Sequence, residues 1–395
     1  MNFTAGAVDS LRIKNGVATT VRVYDQGYIG VSGASGDCDV AELENKAVGA
    51  LSNKVPYPCE KSAPAKMCID KRKEIIKKSE LVGKCRALVA ELVAQNPDFI
   101  LSGKLDVTDK VTKFEDSDGV EYESCSSFFS AYCVAKHKDS SNIMDEVYGV
   151  TDDRFEPEKI AHDVKKLLDA FLAKADLPDE EKPVFITDES VVEYLVGAFV
   201  AERYCSGTSI LKDKLGKKAF SEKFTLVCDR DPDDNPGVTF FDGEGVVNDG
   251  FKAYLVKKGV IENLLTTKKS AATLKVKNSG TAASPYAGVP SLGAEGLKVE
   301  KTAEDVLALI GNKKAVYVTT ASGGDMTPTG EIGLPVQCAY LFENGKLVGK
   351  LPEFSISCNV FDMLGDDYIG ACDKCVNEAG RNRYLVFRAK AVNKQ

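Results

Sequence analysis

The sequence has no tryptophan and only two histidines, at positions 137 and 162. A zinc-binding helix places two histidines about one turn apart, so this separation excludes a local two-histidine metal site. No apolar run approaches the roughly 20 residues of a membrane-spanning helix. Residues 1–16 also lack the charged segment followed by an apolar one that marks a signal peptide. We therefore expect a cytoplasmic protein that makes no membrane contact.

Basic residues are fewer than acidic residues. The chain has 51 Lys and Arg against 59 Asp and Glu, which gives a formal net charge of −8. Nucleic-acid binding depends largely on Lys and Arg side chains that neutralise phosphates. We therefore expect no direct contact with nucleic acid. Hydrophobic residues make up 44% of the chain, a share typical of a folded globular protein.

Cysteines are abundant but scattered. Twelve of them are spread over 395 residues, and only Cys372 and Cys375 have CxxC spacing. A long chain without a secretion signal favours reduced thiols over a disulfide framework. A single CxxC pair supplies half of a zinc site. We therefore interpret most cysteines as core residues and keep Cys372 and Cys375 as weak metal or redox candidates.

The length predicts two domains, and the first has mixed character. Period-two alternation over residues 99–134, broken by Asp116-Ser117-Asp118-Gly119, predicts a long hairpin. A second hairpin is expected over residues 18–33, and residues 54–71, rich in proline, are expected to form an irregular connection. Apolar residues at helical spacing predict helices over residues 39–52, 79–95 and 157–175, the last preceded by a charged passage. Residues 1–177 therefore read as an α+β domain with an antiparallel sheet.

The second domain, residues 184–395, is predicted to be mainly β with a few helices. A polar segment with prolines at both ends, residues 178–183, marks the boundary. A short strand and a helix capped by Thr187 or Asp188 and running to about residue 204 are expected to follow. Beyond them, a loop over residues 279–296, a short helix over 303–310 and several strands complete the domain.

An acidic turn, Asp242-Gly243-Glu244-Gly245, stands at the centre of this domain. The preceding Val238, Phe240 and Phe241 can enter a sheet, and a hairpin is predicted around Lys257-Lys258-Gly259. One interpretation is structural: the carboxylates face water or cap turn amides, and Gly245 allows a sharp bend. The other is chemical, because two carboxylates two residues apart can bind a metal or act as general acid and base.

Three sequence blocks follow one another in the second domain: Gly207-Thr208-Ser209 with Leu215-Gly216; Phe241 to Gly245 with Lys258-Gly259-Val260; and Gly323-Gly324-Asp325 through Asn344-Gly345 to residues 359–364. In this order they resemble the TldD/PmbA family, whose PmbA branch is also called TldE. Members of the family are described as modulators of DNA gyrase and as proteins that mature or degrade peptides. The resemblance implies an oligomeric protein that takes part in proteolysis. The TldD branch of the family resembles a zinc protease that pairs with TldE.

The zinc motif of the catalytic branch, HExxxH, is not retained. Registration on Gly207-Thr208-Ser209 sets this motif against residues 192–197. Val192 and Gly197 then occupy the histidine positions, and only Glu193 matches. The resemblance therefore implies the non-catalytic TldE branch, with no cofactor of its own and zinc only in a TldD-like partner.

This resemblance implies a subunit that assembles with an HExxxH paralogue and acts on peptides or unfolded protein segments. A homodimer is the other assembly considered. The implied channel or structural residues are Asp242, Glu244, Gly245, Gly324, Asp325 and Asn359. Two departures weaken a transfer of peptide contacts: Cys358 replaces the glycine before Asn359, and Met326-Thr327 replace an aromatic residue and serine. The alternative function is a stand-alone hydrolase that uses Asp242 and Glu244, or Cys372 and Cys375.

Overall fold

The computed structural model describes residues 1–58 and 60–393. Its first half contains nine strands, three α-helices and a 3-10 turn at Leu51–Asn53. The strands are β1 (Asn2–Thr4), β2 (Ala7–Ser10), β3 (Ala18–Asp25), β4 (Tyr28–Ser35), β5 (Val55–Pro56), β6 (Ala65–Lys71), β7 (Phe99–Glu115), β8 (Val120–His137) and β9 (Glu146–Asp152). The helices are α1 (Val40–Ala50), α2 (Leu81–Gln95) and α3 (Pro157–Leu172).

The second half is richer in strands. They are β10 (Val184–Asp188), β11 (Leu226–Asp229), β12 (Lys252–Lys257), β13 (Val260–Ile261), β14 (Ala282–Ala283), β15 (Ser291–Leu292), β16 (Leu297–Val299), β17 (Ala303–Asp305), β18 (Ala315–Ala321), β19 (Glu331–Glu343), β20 (Lys346–Lys350), β21 (Phe354–Asn359), β22 (Tyr368–Lys374), β23 (Tyr384–Arg388) and β24 (Lys390–Asn393). The helices are α4 (Ala201–Cys205), α5 (Lys268–Leu274), α6 (Val306–Ile310) and α7 (Val360–Met363), with 3-10 segments at Glu189–Phe199 and Asp249–Phe251. The predicted α+β class is confirmed.

The first large sheet has six strands in the order β2-β1-β7-β8-β6, with β9 also paired to β8. The β7–β8 hairpin is the one predicted, and the Asp116 carboxylate accepts hydrogen bonds from the Asp118 and Val120 amides in its turn. The prediction of an irregular connection over residues 54–71 is wrong, because β6 pairs with β8 in parallel. The side chains of β6 are mostly exposed, so the segment lacks the apolar alternation by which a strand is recognised.

The charged passage before α3 also contains a strand, β9. Its inward-facing residues include two acidic ones, Glu146 and Asp152, both about 2% exposed. Acidic residues at buried positions hide the alternation of a strand. Helix α1 is confirmed with Asp39 as its N-cap, and it packs on the β3-β4-β5 sheet. A Cβ on Gly30 of β4 would lie 1.9 Å from the Ala47 carbonyl oxygen, so this close packing requires glycine.

The second large sheet is mixed. Its order is β17-β22-β23-β10-β18-β19-β21-β24, and β20 pairs with β19. A separate sheet has the order β13-β12-β11-β16, and it contains the predicted hairpin at Lys257-Lys258-Gly259. Strands β10 and β18 are parallel, as are β17 and β22. The C-terminal half is therefore mainly β, as predicted.

The helix predicted to reach residue 204 is interrupted. After the Asp188 cap, residues Glu189–Phe199 form a 3-10 helix in which Val192, Leu195 and Ala198 are buried at a spacing of three. Val200 is then extended and forms a bridge to Leu265, and α4 begins at Ala201. Because Val200 pairs with another strand-like segment, a continuous α-helix cannot pass through it.

One of the two large hydrophobic clusters crosses the predicted domain boundary. Leu167 and Leu168 of α3 belong to the same cluster as Tyr340 and Phe342 of β19. The division into residues 1–177 and 184–395 stays a prediction. Among the described residues, no helix combines the length and apolar character that a membrane crossing needs.

Candidate functional site

The acidic turn lies inside the molecule. Asp242 is 2% exposed, and its carboxylate accepts hydrogen bonds from the amides of Glu244 (2.8 Å), Val246 (2.9 Å) and Ala282 (2.9 Å). Burial raises the pKa of Asp242 above the usual aspartate value, although these amide donors favour the charged form. The carboxylate thus joins its own turn to the start of β14, and its acceptor sites are occupied by backbone donors.

The Glu244 carboxylate connects three distant segments. The Tyr57 hydroxyl donates to Oε1 at 2.6 Å, and the Lys268 amide at the start of α5 donates to Oε2 at 2.6 Å. Burial raises the pKa of Glu244, whereas these two donors oppose that rise. Tyr57 is 1% exposed, and burial together with Glu244 raises the pKa of its hydroxyl. The Glu244 carboxylate therefore accepts two hydrogen bonds that join its turn to Tyr57 and to the start of α5.

Gly245 lies against the tip of the β7–β8 hairpin. Its φ is +73°, and a Cβ there would lie 2.3 Å from the Phe114 ring. The rings of Phe240 and Phe241 pack with Tyr122 in the same small hydrophobic cluster. The prediction that Phe240 and Phe241 enter a sheet is wrong, since both lie outside the strands yet are buried. Aromatic packing holds this segment instead of a strand ladder.

Two arginines that sequence analysis did not identify hold the same turn. Arg230 is 2% exposed, and its Nη1 donates to the Phe241 carbonyl at 2.9 Å and pairs with Glu295. Arg22 of β3 donates through Nη1 to the Gly243 carbonyl at 3.0 Å. Arg22 and Gly243 are 221 positions apart and Arg230 and Phe241 are 11 apart, and no motif in the sequence indicates either contact.

The remaining predicted residues, Gly324, Asp325 and Asn359, lie around the 3-10 helix at Glu189–Phe199 and helix α7. Gly324 has φ +85°, and a Cβ there would lie 2.1 Å from the Gly333 carbonyl oxygen. Asp325 is exposed. Asn359 is the N-cap of α7, because its Oδ1 accepts from the Phe361 amide at 2.9 Å. Among the described residues, no hydrogen bond or ion pair joins this group to Asp242 or Glu244.

The positions that correspond to HExxxH lie on the 3-10 helix. Val192 is 1% exposed and packs in the core, and Glu193 is exposed beside a cleft. A Cβ on Gly197 would lie 2.9 Å from Nη1 of Arg203. Val192 and Gly197 carry no ligand atoms, so this segment does not fit a zinc ion. The parts of the chain that the structure describes hold no group of three His, Cys, Asp or Glu residues arranged for a metal.

The two cysteines of the CxxC pair differ in position: Cys372 lies in β22 of the second large sheet, and Cys375 follows that strand and is partly buried. Cys372 is fully buried on β22, and burial raises the pKa of its thiol to about 12. Burial also raises the pKa of Cys375 well above the ordinary value. Both are free thiols, and a protonated thiol is a poor nucleophile and a poor metal ligand. The described cysteines are all unpaired, and Cys59 lies outside the described residues.

Comparisons with known proteins agree with this fold. Two archaeal metalloproteases are similar in sequence. The one from Methanothermobacter thermautotrophicus is 28% identical over 225 residues, or 51% of this chain and 48% of the relative. The one from Archaeoglobus fulgidus is 26% identical over 355 residues, or 85% of this chain and 76% of the relative. The chain thus spans about half the length of the first relative.

The structure also resembles a solved protein, TldE from Thermococcus kodakarensis. The TM-score is 0.76 at 17% sequence identity, and the match covers 100% of this chain and 93% of that one. At this identity the likeness concerns the fold. Residues 183–374 match the model of the PmbA/TldA metallopeptidase C-terminal domain. Residues 183–374 therefore carry a C-terminal domain of the TldD/PmbA family, and the sequence relatives and the fold agree with that assignment.

Proposed function

We propose that this chain is a non-catalytic, TldE-like subunit that assembles with an HExxxH-bearing, TldD-like protein. The observation that supports this proposal is the pair of missing zinc ligands: Val192 and Gly197 occupy the histidine positions, and Val192 is buried in the core. Metal-assisted hydrolysis needs a zinc ion that acidifies water or polarises the peptide carbonyl. This segment cannot supply that chemistry, so a role in proteolysis requires a partner that holds the zinc.

The contribution of this chain would be to position peptides or unfolded segments. Strands β6 and β24 lie at the outer edges of the two large sheets. An edge strand presents backbone N–H and C=O groups that can pair with an extended peptide, whatever its side chains. Such binding would recognise the extended backbone of a substrate and not its side chains. The net charge of −8 makes a direct role on DNA the weaker explanation of the gyrase description.

The alternative, a stand-alone hydrolase, has less support. Asp242 and Glu244 are 2% and 3% exposed, and both oxygens of each carboxylate already accept hydrogen bonds from protein donors. The thiols of Cys372 and Cys375 have raised pKa values, which keeps them protonated at neutral pH. A general base or nucleophile must reach its substrate in the reactive protonation state, and neither pair meets that condition.

The test is reconstitution with an HExxxH paralogue from the same genome. We expect the mixture to elute as one complex in size-exclusion chromatography, and to cleave unfolded protein or peptides. This chain alone should not cleave. The matched control is the partner with its HExxxH glutamate changed to glutamine, which should bind equally and cleave nothing.

Two outcomes would refute the proposal. Chelator-resistant cleavage by this chain alone would favour the cysteine or carboxylate hydrolase. A chain that binds no such paralogue and elutes as a homodimer would remove the partnership and leave the family assignment standing.

A further inference from the structure

A cleft separate from the acidic turn lies between the two halves of the chain. Its volume is about 400 Å³, within the range of small-ligand sites. Residues from β9, β10, the 3-10 helix, β18 and the segment before β23 form its walls. The side chains that matter for its chemistry are Glu189, Glu193, Asn377, Arg381 and Arg383.

The cleft contains a buried guanidinium group, that of Arg383. Its side chain is only 9% exposed, and its Nη1 lies 2.8 Å from Asp373 Oδ1. That ion pair lacks hydrogen-bond alignment, so Nε and Nη1 are buried without an acceptor among the described residues. A buried guanidinium N–H without an acceptor is costly. A carboxylate oxygen is a strong acceptor for such an N–H, because the hydrogen bond is charge-assisted.

The cleft also contains hydrogen-bond acceptor atoms that have no donor among the described residues. The Asn377 Oδ1 atom is buried and accepts no hydrogen bond in the described structure. Among the described residues, Glu189 accepts a hydrogen bond from the Val299 amide at 3.1 Å through Oε2 and none through Oε1. A ligand that satisfies both sides of the cleft must therefore carry an acceptor and an N–H donor close together.

We propose that this cleft binds an α-amino-acid group, with its carboxylate on Arg383 and its N–H donor on Asn377 and Glu189. This chemistry occurs in a free amino acid and in the C-terminal residue of a peptide.

The surrounding charges favour this ligand over phosphate. Asp188, Glu189, Glu193 and Asp373 lie at the cleft or on Arg383, against the two cations Arg381 and Arg383. These carboxylates would repel a dianion more strongly than a singly charged terminus, and the ammonium group of a zwitterion would offset the repulsion. The peptide source rests on the proposed function, since it assumes that peptides reach this chain. The free amino acid source does not.

The test is calorimetric titration of the whole chain with four probes: Ala-Ala-Ala, its C-terminal amide, L-alanine and inorganic phosphate. We expect Ala-Ala-Ala to bind at least about tenfold more tightly than the amide, because only the acid gives Arg383 a charged acceptor. Binding of L-alanine as tight as that of the tripeptide would indicate a free amino acid as ligand. Binding of the tripeptide alone would indicate a peptide C-terminus.

Variants then identify the residues. Arg383→Gln should abolish the preference for the acid, and Glu189→Gln should weaken L-alanine binding. Arg86→Gln, on the exposed face of α2, is the control and should change nothing. Equal binding of acid and amide by the unmodified chain, binding of phosphate as tight as that of the tripeptide, or no binding of any probe at millimolar concentration would overturn the inference. These titrations use the chain alone, so their failure is distinguishable from failure of the reconstitution with an HExxxH paralogue.

Discussion

The replacement of Gly245 by alanine tests whether the acidic turn is held by its packing on the β7–β8 hairpin. Two costs follow from the structure. Alanine at φ +73° costs about 1–2 kcal/mol, because its Cβ crowds the backbone in the left-handed region. The same Cβ would lie 2.3 Å from the Phe114 ring, and such overpacking costs about 1–3 kcal/mol more. We therefore expect Gly245→Ala to lower the free energy of unfolding by about 2–5 kcal/mol.

Gly216 provides a matched control. Its φ is also +73°, but a Cβ there would meet nothing within 4 Å. Gly216→Ala should therefore show the backbone cost alone, about 1–2 kcal/mol. Adding Phe114→Leu to Gly245→Ala should recover part of the packing cost, which shows as a coupling energy between the two positions. Glu244→Gln keeps the size of the side chain and should cost less than Gly245→Ala.

Denaturant unfolding and thermal melting of these variants supply the measurements. Gly245→Ala should lower Tm by roughly 2–6 °C and clearly more than Gly216→Ala does. Equal losses for the two glycines, or no coupling with Phe114, would refute the packing argument. Intact stability of Glu244→Gln with loss of cleavage by the assembled complex would instead assign Glu244 a role in the reaction.

Three further predictions concern protonation, metal and thiols. Burial raises the pKa of Glu189 from 4.5 to about 7, so between these pH values the folded state keeps a proton that the unfolded state releases. Glu189 should therefore contribute a fall in stability of at most about 3 kcal/mol as pH rises from 4.5 through 7, and Glu189→Gln should remove that share of the slope in melts at pH 5 to 8. Elemental analysis after dialysis should find no stoichiometric zinc; one zinc per chain, lost in Cys372→Ser, would contradict this. Thiol titration of the denatured, unreduced chain should find close to all twelve cysteines, and recovery of eight or fewer would argue for disulfides.

Local patterns predicted those parts of the fold whose signals are local. The period of two over residues 99–134 and the turn at Asp116 predicted the β7–β8 hairpin, and Asp39 marked the start of α1. Strand β9 was missed because its inward positions carry Glu146, which accepts a hydrogen bond from Tyr340, and Asp152, which lies 3.8 Å from Nε of Arg381. Such partners are set by tertiary contacts, so periodicity alone cannot reveal them.

The candidate site shows the same division. The sequence identified Asp242, Glu244 and Gly245 from their turn chemistry. It did not identify Tyr57 or Phe114, which contact Glu244 and Gly245 from more than a hundred positions away in the chain. The cleft around Arg383 was missed entirely, because its members come from separate strands and loops. A motif marks where chemistry can occur, whereas its partners depend on how the sheets assemble.

The position of β10 in the second sheet has a consequence for synthesis. It lies between β18 and β23, and its residue Val184 pairs with Arg388. The ribosome therefore synthesises β10 long before β23. The apolar residues 184–187 remain without this partner strand until residue 388 has been translated. Pairing of such distant residues makes folding slow and leaves a hydrophobic edge exposed meanwhile. Nascent chains arrested shortly before residue 384 should accordingly be captured by chaperones, while complete chains are released.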